Sequence, residues 1–324
     1  MKLLALLIPT AHSLLACGVG GVVSPPMTHR PSGVPSQIGA VCAGIWSLDN
    51  KITRGYLQRE SLQTIRRSQA RSFFWGQPGD IVVLGDWNGS GTTKAGVYRA
   101  GVWYLDFNGN GKWDGEEGGD RIVRMGSLSS IPVVGDWSGS GTTKVGVFED
   151  GIWKLDYNGN GQWDGPEGGG RLLSFGSQGD QPVVGDWNGS GTAKIGIVWQ
   201  GQWLLDYNGN GQWDGIAGGD RLIHLGDANS VPVLGDWNGS GTTKVGVFNN
   251  GQWLLDWDGV KSEMRRLSLG SAGDVPVVGD WNGSGTTKLG IWTKGTWLLD
   301  FFGFGNYEQV KFGDPAAVPI VGVW

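Results

Sequence analysis

Five near-identical repeats, an unusual abundance of glycine and tryptophan, and complementary fragments at the two chain ends predict an all-β fold. The expected architecture is a closed six-bladed β-propeller of four-stranded blades. The 324 residues include 61 Gly, 13 Pro and 19 Trp. Because each Gly in a helix interior costs about 1 kcal/mol, this composition argues against a mostly helical protein. No Gly-X-Y period is present, which excludes collagen.

The repeat is defined by the segment GDWNGSGT, which starts at Gly85 and returns with minor changes at Gly135, Gly185, Gly235 and Gly279. In the fourth copy, residues 231–235, 244–248, 252–256 and 266–270 are apolar or alternating runs that predict strands. Residues 249–251, Asn-Asn-Gly, predict a tight hairpin turn between the second and third strands, since Asn and Gly accept positive φ. Four strands in about 40–50 residues are typical of a propeller blade. Repeats therefore start near residues 81, 131, 181, 231 and 275.

A sixth blade is predicted from the two ends of the chain. Residues 38–42, 44–49 and 71–76 match the second, third and fourth strands of a repeat that has no first strand. Residues 318–324 match a first strand with nothing after it. Sharing one blade (38–80 plus 318–324) between the ends closes the ring over residues 38–324 and removes exposed edge strands. An open solenoid is the alternative.

The first 37 residues predict export. Residues 1–16 carry one Lys before an apolar run that is too short to span a bilayer, as in a signal peptide. Leu14-Leu15-Ala16-Cys17 resembles the lipobox of bacterial lipoproteins, which implies lipidation of Cys17 and a place in the cell envelope or at its outer surface. Plain secretion is the alternative, and Cys17 could then pair with Cys42 in an oxidising compartment. Residues 17–37, rich in Gly, Pro and Ser, predict a flexible tether.

The element GDWNGSGTTKVGVF resembles the FG-GAP/VCBS-type repeat of integrin-like propellers and many secreted bacterial proteins, over residues 38–324. In that family the first loop usually reads DxDxDGxxD and binds calcium. Here Ser90 and Lys94 replace the third and last acidic residues, and every other copy has the same replacements. Because an ammonium group repels Ca²⁺, we expect the Lys94 side chain to stand in for the ion and bridge Asp86 to nearby carbonyls.

A second acidic loop fits the twelve-residue calcium pattern D-x-[DN]-x-[DN]-G-x5-E. Side-chain oxygens at positions one, three and five converge where the loop turns, position seven offers a carbonyl, and positions nine and twelve add carboxylates. The candidate calcium ligands are Asp106, Asn108, Asn110, Lys112, Asp114 and Glu117 in the first copy, Asp156, Asn158, Asn160, Gln162, Asp164 and Glu167 in the second, and Asp206, Asn208, Asn210, Gln212 and Asp214 in the third. The third copy has Ala217 in place of the closing Glu and is expected to be weak. The loops at Asp256 and Asp300 are expected to be empty, and an Asn-Gly turn without metal is the alternative for the three candidate loops.

Tryptophan recurs at three positions of the repeat. One class follows the first-loop Asp and another opens the third strand, and both are expected to fill the wedge between blades. These residues are Trp87, Trp137, Trp187, Trp237, Trp281 and Trp324, and Trp46, Trp103, Trp153, Trp203, Trp253 and Trp297. The third class, Trp113, Trp163 and Trp213, lies in the calcium-type loops and could stack on sugar rings; packing beside the loop is the alternative.

The residues favour a binding protein over an enzyme. The three histidines, His12, His29 and His224, form no catalytic or zinc-binding pattern, and a sequence pI of about 5.2 gives no basic footprint for nucleic acid. We expect a calcium-stabilised, surface-displayed propeller that binds a surface protein, supports adhesion or is structural. A lectin-like carbohydrate-binding propeller is the alternative, and a propeller hydrolase or lyase is the third hypothesis. Membrane contact is expected only through the lipid anchor.

Overall fold

The computed structural model describes residues 21–23, 33–49, 70–303, 305 and 307–324, and its strands form six sheets. An initial strand, β1 (Gly21–Val23), precedes the blades. Blade 1 contains β5 (Ile81–Gly85), β6 (Lys94–Arg99), β7 (Val102–Leu105) and β8 (Arg121–Arg124); blade 2 contains β9 (Ile131–Gly135), β10 (Lys144–Glu149), β11 (Ile152–Leu155) and β12 (Arg171–Ser174); blade 3 contains β13 (Gln181–Gly185), β14 (Lys194–Trp199), β15 (Gln202–Leu205) and β16 (Arg221–His224). Blade 4 contains β17 (Val231–Gly235), β18 (Lys244–Asn249), β19 (Gln252–Asp256) and β20 (Met264–Ser268); blade 5 contains β21 (Val275–Gly279), β22 (Lys288–Thr293), β23 (Thr296–Asp300) and β24 (Tyr307–Lys311); blade 6 contains β25 (Val318–Gly322), β2 (Gln37–Cys42), β3 (Ile45–Asp49) and β4 (Ala70–Phe74). The predicted all-β six-bladed propeller is confirmed.

Each blade is an antiparallel meander whose strands we name a to d from the axis outward. Strands b and c are joined by a two-residue turn in which both central residues have positive φ, for example 50° at Asn250 and 85° at Gly251. This turn suits the right-handed twist of a hairpin, as the sequence predicts. Strand d of blade 4 begins at Met264, two residues before the predicted start.

The core lies in the seams between consecutive blades. Trp87 and Trp103 of blade 1 pack with Val134 and Val145 of blade 2 in one buried cluster. Other seams contain equivalent clusters, with tryptophans of one blade packed on aliphatic residues of the next. The indole of Trp103 donates to the Met125 carbonyl at 3.1 Å, and the tryptophan at this position makes the equivalent bond in all six blades. Both predicted structural classes of tryptophan therefore pack as expected, with only Trp324 half-exposed.

Blade 6 closes the ring. Strand β25 pairs with β2 over five residues, so the C-terminal strand supplies strand a of the N-terminal blade. Within the ring, Asp186 and Thr243 join two blades through a backbone bond of 2.8 Å and an amide-to-hydroxyl bond of 3.0 Å. Ser36 makes the same pair of bonds to Asp280, at 2.7 and 3.0 Å. The hydrogen bonds at the predicted closure are thus equivalent to those that join neighbouring blades within the continuous repeats.

The tether prediction is wrong for residues 21–23. Strand β1 pairs in parallel with β5, which is an innermost strand, and also lies beside β9 and β25. It therefore occupies the axial channel. The physical reason is that the inner edge of β5 exposes unpaired backbone groups, which a short segment of this chain satisfies. Cys17 and residues 24–32 lie outside the described residues, whereas Cys42, at the end of β2, is disulfide-bonded. Among the described residues, no helix has the length and apolarity to cross a membrane.

Candidate functional site

The two faces of the ring carry different structures. The loop between strands a and b, the ab loop, lies at the end of strand a, on one face of the ring. Strand c runs parallel to strand a, so the loop between strands c and d, the cd loop, lies on the same face. We call this the loop face. The opposite face, which we call the tip face, carries the bc hairpins and the connections between blades. Both predicted kinds of acidic loop are therefore on the loop face.

The ab loops hold a buried lysine in place of a cation. The Lys94 ammonium donates to Asp86 Oδ1 at 2.8 Å, to Ser90 Oγ at 2.6 Å and to the Thr92 carbonyl at 3.0 Å. The other carboxylate oxygen of Asp86 accepts the Gly91 amide at 2.7 Å. Four further loops repeat the arrangement, and each lysine is buried. The structure agrees with the expectation that an ammonium bridges the loop.

Opposing effects set the pKa values in these loops. Burial alone would raise the pKa of Asp136, but the Lys144 ammonium and the amides of Ser140 and Gly141 outweigh it, so the pKa lies below its ordinary value of 3.8. Burial lowers the pKa of Lys288, and the carboxylate beside it only partly offsets this effect. The charged pairs are thus held by hydrogen bonds against a real cost of desolvation.

The cd loops are organised by their first aspartate. In blade 1, Asp106 is buried and accepts the amides of Gly109 and Gly111, both at 2.9 Å. Asn108 Oδ1 accepts the amide of Asn110 at 2.9 Å. Blades 2 and 3 repeat these bonds from Asp156, Asn158, Asp206 and Asn208. Asn110 Oδ1 accepts the backbone amide of Lys112 at 2.7 Å, so the side-chain oxygens of the first three predicted positions face the interior of their own loop.

Some contacts in the cd loops suit calcium. Each oxygen that accepts one N–H keeps a second lone pair, so Asp106, Asn108 and Asn110 could still ligate a cation. Burial raises the pKa of Asp106, and the neighbouring carboxylate of Asp120 adds to the rise. Burial likewise raises the pKa of Asp156. A bound cation would reverse these shifts by stabilising the ionised form.

Other contacts do not suit calcium. Asp300, whose loop lacks the remaining ligands, still accepts the amides of Gly303 and Gly305, so these bonds need no metal. Asp114 Oδ2 accepts a hydrogen bond from the side-chain amide (Nδ2) of Asn110 at 2.5 Å, and Glu117 is exposed. Across the described part of the chain, no group of three His, Cys, Asp or Glu side chains is arranged to hold a metal. The first half of each loop fits calcium and the second half does not, so calcium binding stays a prediction.

The three loop tryptophans cover seams. Trp113 lies edge-on against Trp75 of blade 6 and Tyr104 of its own blade, with centroid distances of 5.6 and 5.5 Å. Trp213 contacts Phe175 of blade 2 in the same way, at 6.2 Å. Trp163 packs on the blade 1 core. Packing beside the loop is therefore observed. Trp113 and Trp213 remain 44% and 38% exposed, so stacking on a sugar stays a prediction.

A repeated arginine, which the sequence analysis overlooked, lines the seams on the loop face. Each is the first residue of a strand d and lies over the aromatic ring that follows the cd-loop aspartate. The pairs are Arg121–Phe107, Arg171–Tyr157 and Arg221–Tyr207, with guanidinium-to-centroid distances of 3.7, 3.9 and 3.8 Å. Arg121 and Arg221 also reach a Gly carbonyl of the next blade. No ion pair among the described residues includes these arginines. The sequence signal was the Arg that follows the cd loop in all three copies.

Each of these arginines borders a cleft on the loop face. The cleft between blades 1 and 2 has a volume of about 30 Å³, and that between blades 2 and 3 about 90 Å³. The cleft between blades 3 and 4 is larger, about 200 Å³. All three are bordered on the far side by the first cd-loop aspartate and glycine of the following blade.

Comparison with known structures finds chains of similar fold at low sequence identity. No family model matches, and no curated protein matches, so the FG-GAP/VCBS resemblance stays a resemblance. An Agrocybe aegerita lectin that recognises non-reducing terminal N-acetylglucosamine aligns with a TM-score of 0.53 at 14% identity, covering 90% of this chain and 95% of the lectin. A streptogramin B lyase aligns at 0.48 and 10% identity, covering 89% and 86%. Virginiamycin B lyase from Staphylococcus aureus aligns at 0.45 and 9% identity, covering 88% and 86%.

Proposed function

We propose that this protein is an exported, surface-displayed binding propeller whose loop face recognises carbohydrate at the seams between blades. The observation that carries the proposal is a cleft, repeated at three seams, that is bordered by an arginine stacked on an aromatic ring and forming no ion pair with any described residue. Such a cleft offers N–H donors, backbone carbonyl acceptors and an apolar floor, which together suit a polyol with both hydroxyl groups and C–H faces. The lectin that shares the fold binds a sugar, which supports this ligand class as a hypothesis.

The path of the N-terminal segment supports display of the loop face. Strand β1 runs parallel to β5, which ascends from the tip face to the loop face, so Gly21 lies at the tip-face end of the channel. Cys17 is four residues upstream. A chain extends at most about 3.6 Å per residue, so a lipid on Cys17, which requires that its thiol is not taken by the disulfide of Cys42, would hold the tip face close to the membrane. The loop face would then point outward.

Glycan binding is the test of this proposal. Wild-type protein on a glycan array should bind a defined subset of sugars, and the triple variant Arg121→Gln/Arg171→Gln/Arg221→Gln should lose most of that signal. A matched control changes exposed tip-face residues, Leu128→Ser/Trp199→Ser, and should keep it. Absence of wild-type binding, or equal loss in the control, would reject the proposal.

Protein binding or adhesion is the second candidate, and a feature of the tip face favours it. Ile45 and Phe74 lie directly opposite each other on β3 and β4, and both are exposed, Phe74 by 74%. Exposed apolar pairs of this kind often mark protein contacts. A pull-down from the native cell surface with wild-type and Phe74→Ser protein would test this role; only a partner lost in Phe74→Ser would support it.

A hydrolase or lyase is the third candidate. Catalysis needs unlike groups held in unlike environments, and the repeated blades offer the same groups several times. Turnover of a glycan that is abolished by one carboxylate substitution would replace the binding proposal.

A further inference from the structure

We propose that the cleft between blades 3 and 4 is a site for one pyranose ring, with Asp256 accepting a ligand hydroxyl. This inference rests on the proposed function and names the site and the unit it binds. The sequence predicts no metal in the Asp256 loop, and that prediction does not bear on a neutral ligand.

A shortened loop creates the site. The interval between repeats falls from 50 to 44 residues across blade 4, and the cd loop there lacks the tryptophan that covers earlier seams. In blade 3, Asp206 Oδ1 accepts the Gly209 amide and Oδ2 accepts the Gly211 amide, at 2.9 and 2.8 Å. In blade 4, both amides turn to one oxygen: Gly259 and Lys261 donate to Asp256 Oδ1 at 3.0 and 2.9 Å.

The second oxygen of Asp256 is consequently left without a hydrogen-bond donor. Asp256 is 0% exposed, its Oδ2 atom is buried, and the residue lines the cleft. Burial raises the pKa of Asp256, and the Asp258 carboxylate raises it further, both by its charge and by accepting a hydrogen bond from the protonated form of Asp256. An unsatisfied buried acceptor destabilises the site, and a donor brought by a ligand removes that cost. A hydroxyl group is such a donor and adds no charge.

The remaining walls suit a sugar ring. Leu222 and Val260 present apolar surface to the cleft, and Val260 is 62% exposed at its rim. Arg221 contributes guanidinium donors beyond the one that it uses for the Gly259 carbonyl. A volume of about 200 Å³ lies below the roughly 300–1,000 Å³ of drug-sized pockets, so the cleft has room for one ring of a longer glycan.

Lys261 shows that the loop keeps this shape at some cost. It occupies the position of a glycine in the earlier loops and retains a positive φ of 60°. For a residue with a Cβ this conformation is unfavourable. Its ammonium donates to the His224 carbonyl of blade 3 at 2.8 Å and so fixes one edge of the cleft.

The test uses a panel of methyl pyranosides as probes, with saturation-transfer NMR to find a binder and calorimetry to measure its affinity. Asp256→Asn should weaken the best binder about tenfold or more, because the amide group cannot supply two acceptor oxygens. Val260→Trp should also weaken it, since a bulky rim side chain would fill the opening. Asp300→Asn is the matched control, at the equivalent position of blade 5 and outside the three clefts, and should leave the affinity within about twofold. Circular dichroism confirms that each variant is folded.

The outcomes separate the two proposals. Loss in Asp256→Asn and Val260→Trp with retention in Asp300→Asn supports the site. Wild-type binding that survives both cleft variants overturns the site and leaves carbohydrate binding intact. Equal loss in all three variants also overturns it, because the effect would then be general to the loops. No binding of any pyranoside or arrayed glycan by wild type overturns both.

Discussion

Replacement of Lys244 by methionine tests whether a buried ammonium holds the ab loop together. Lys244 Nζ donates to Asp236 Oδ1 at 2.7 Å, Ser240 Oγ at 2.6 Å and the Thr242 carbonyl at 3.0 Å. The two charged side chains are 1% and 6% exposed. Methionine fills a similar volume without charge, and it leaves the Asp236 carboxylate with only two backbone amides.

The expected loss is large because the surviving charge is buried. Removing one partner of a buried ion pair costs about 3–5 kcal/mol, a sizeable part of the roughly 5–15 kcal/mol of a typical folded protein. The exposed pair Arg265–Glu263 is the internal comparison, with side chains 45% and 52% exposed. Glu263→Gln should therefore cost at most about 1 kcal/mol.

Urea unfolding followed by tryptophan fluorescence gives the measurement. The midpoint of Lys244→Met should fall at constant slope, which would assign the change to stability rather than to a different unfolded state. The double variant Lys244→Met/Asp236→Asn should lose less than the sum of the single losses, because it leaves no uncompensated charge. A loss below about 1 kcal/mol in Lys244→Met, or strict additivity in the double variant, would refute the reasoning.

Four further predictions follow from the same contacts. The pKa of Asp136 in the folded protein lies below its ordinary value of 3.8, so the ionised carboxylate stabilises the fold above pH 3.8, and this stabilisation is lost as the pH falls through the folded-state pKa. Asp136→Asn should therefore flatten the acid limb of a curve of unfolding free energy against pH, and an unchanged limb would contradict this. Calcium titration should show weak binding, with Kd of about 10⁻⁴–10⁻³ M, that Asp114→Ala/Asp164→Ala removes, whereas an unchanged titration would reject these ligands. Because Cys42 is disulfide-bonded, the intact protein should be two hydrogen atoms lighter than its reduced form in mass spectrometry; diacylglycerol on Cys17 would contradict that disulfide and support a lipid anchor. Deletion of residues 318–324 should produce unfolded or multimeric protein in size-exclusion chromatography, and a stable monomer would oppose closure by the C-terminal strand.

Much of the fold could be predicted because repetition makes each local signal visible several times. The spacing of GDWNGSGT gave the blade length, and the unmatched ends showed how the ring closes. The bridging role of the Lys94 ammonium could also be predicted from sequence, because a lysine at a position that usually ligates calcium repels the ion and can itself pair with Asp86. Packing of the strand tryptophans followed from the wedge that every blade must fill.

The remaining features depend on contacts between distant residues. The pairing of Gly21 with Ile81 arises from an open strand edge in the channel, and composition alone made this segment resemble a linker. The stacked Arg221 borders a ligand-sized cleft only because the next blade has a shortened loop. The unpartnered oxygen of Asp256 likewise results from an amide that turns to the other oxygen, which no sequence pattern records.

A crystal structure with the best-binding glycan would test the central claim most directly. The account predicts a sugar ring on the loop face between blades 3 and 4, with a hydroxyl within hydrogen-bonding distance of Asp256 Oδ2. A sugar bound on the tip face, or only against Trp113, Trp163 or Trp213, would contradict it.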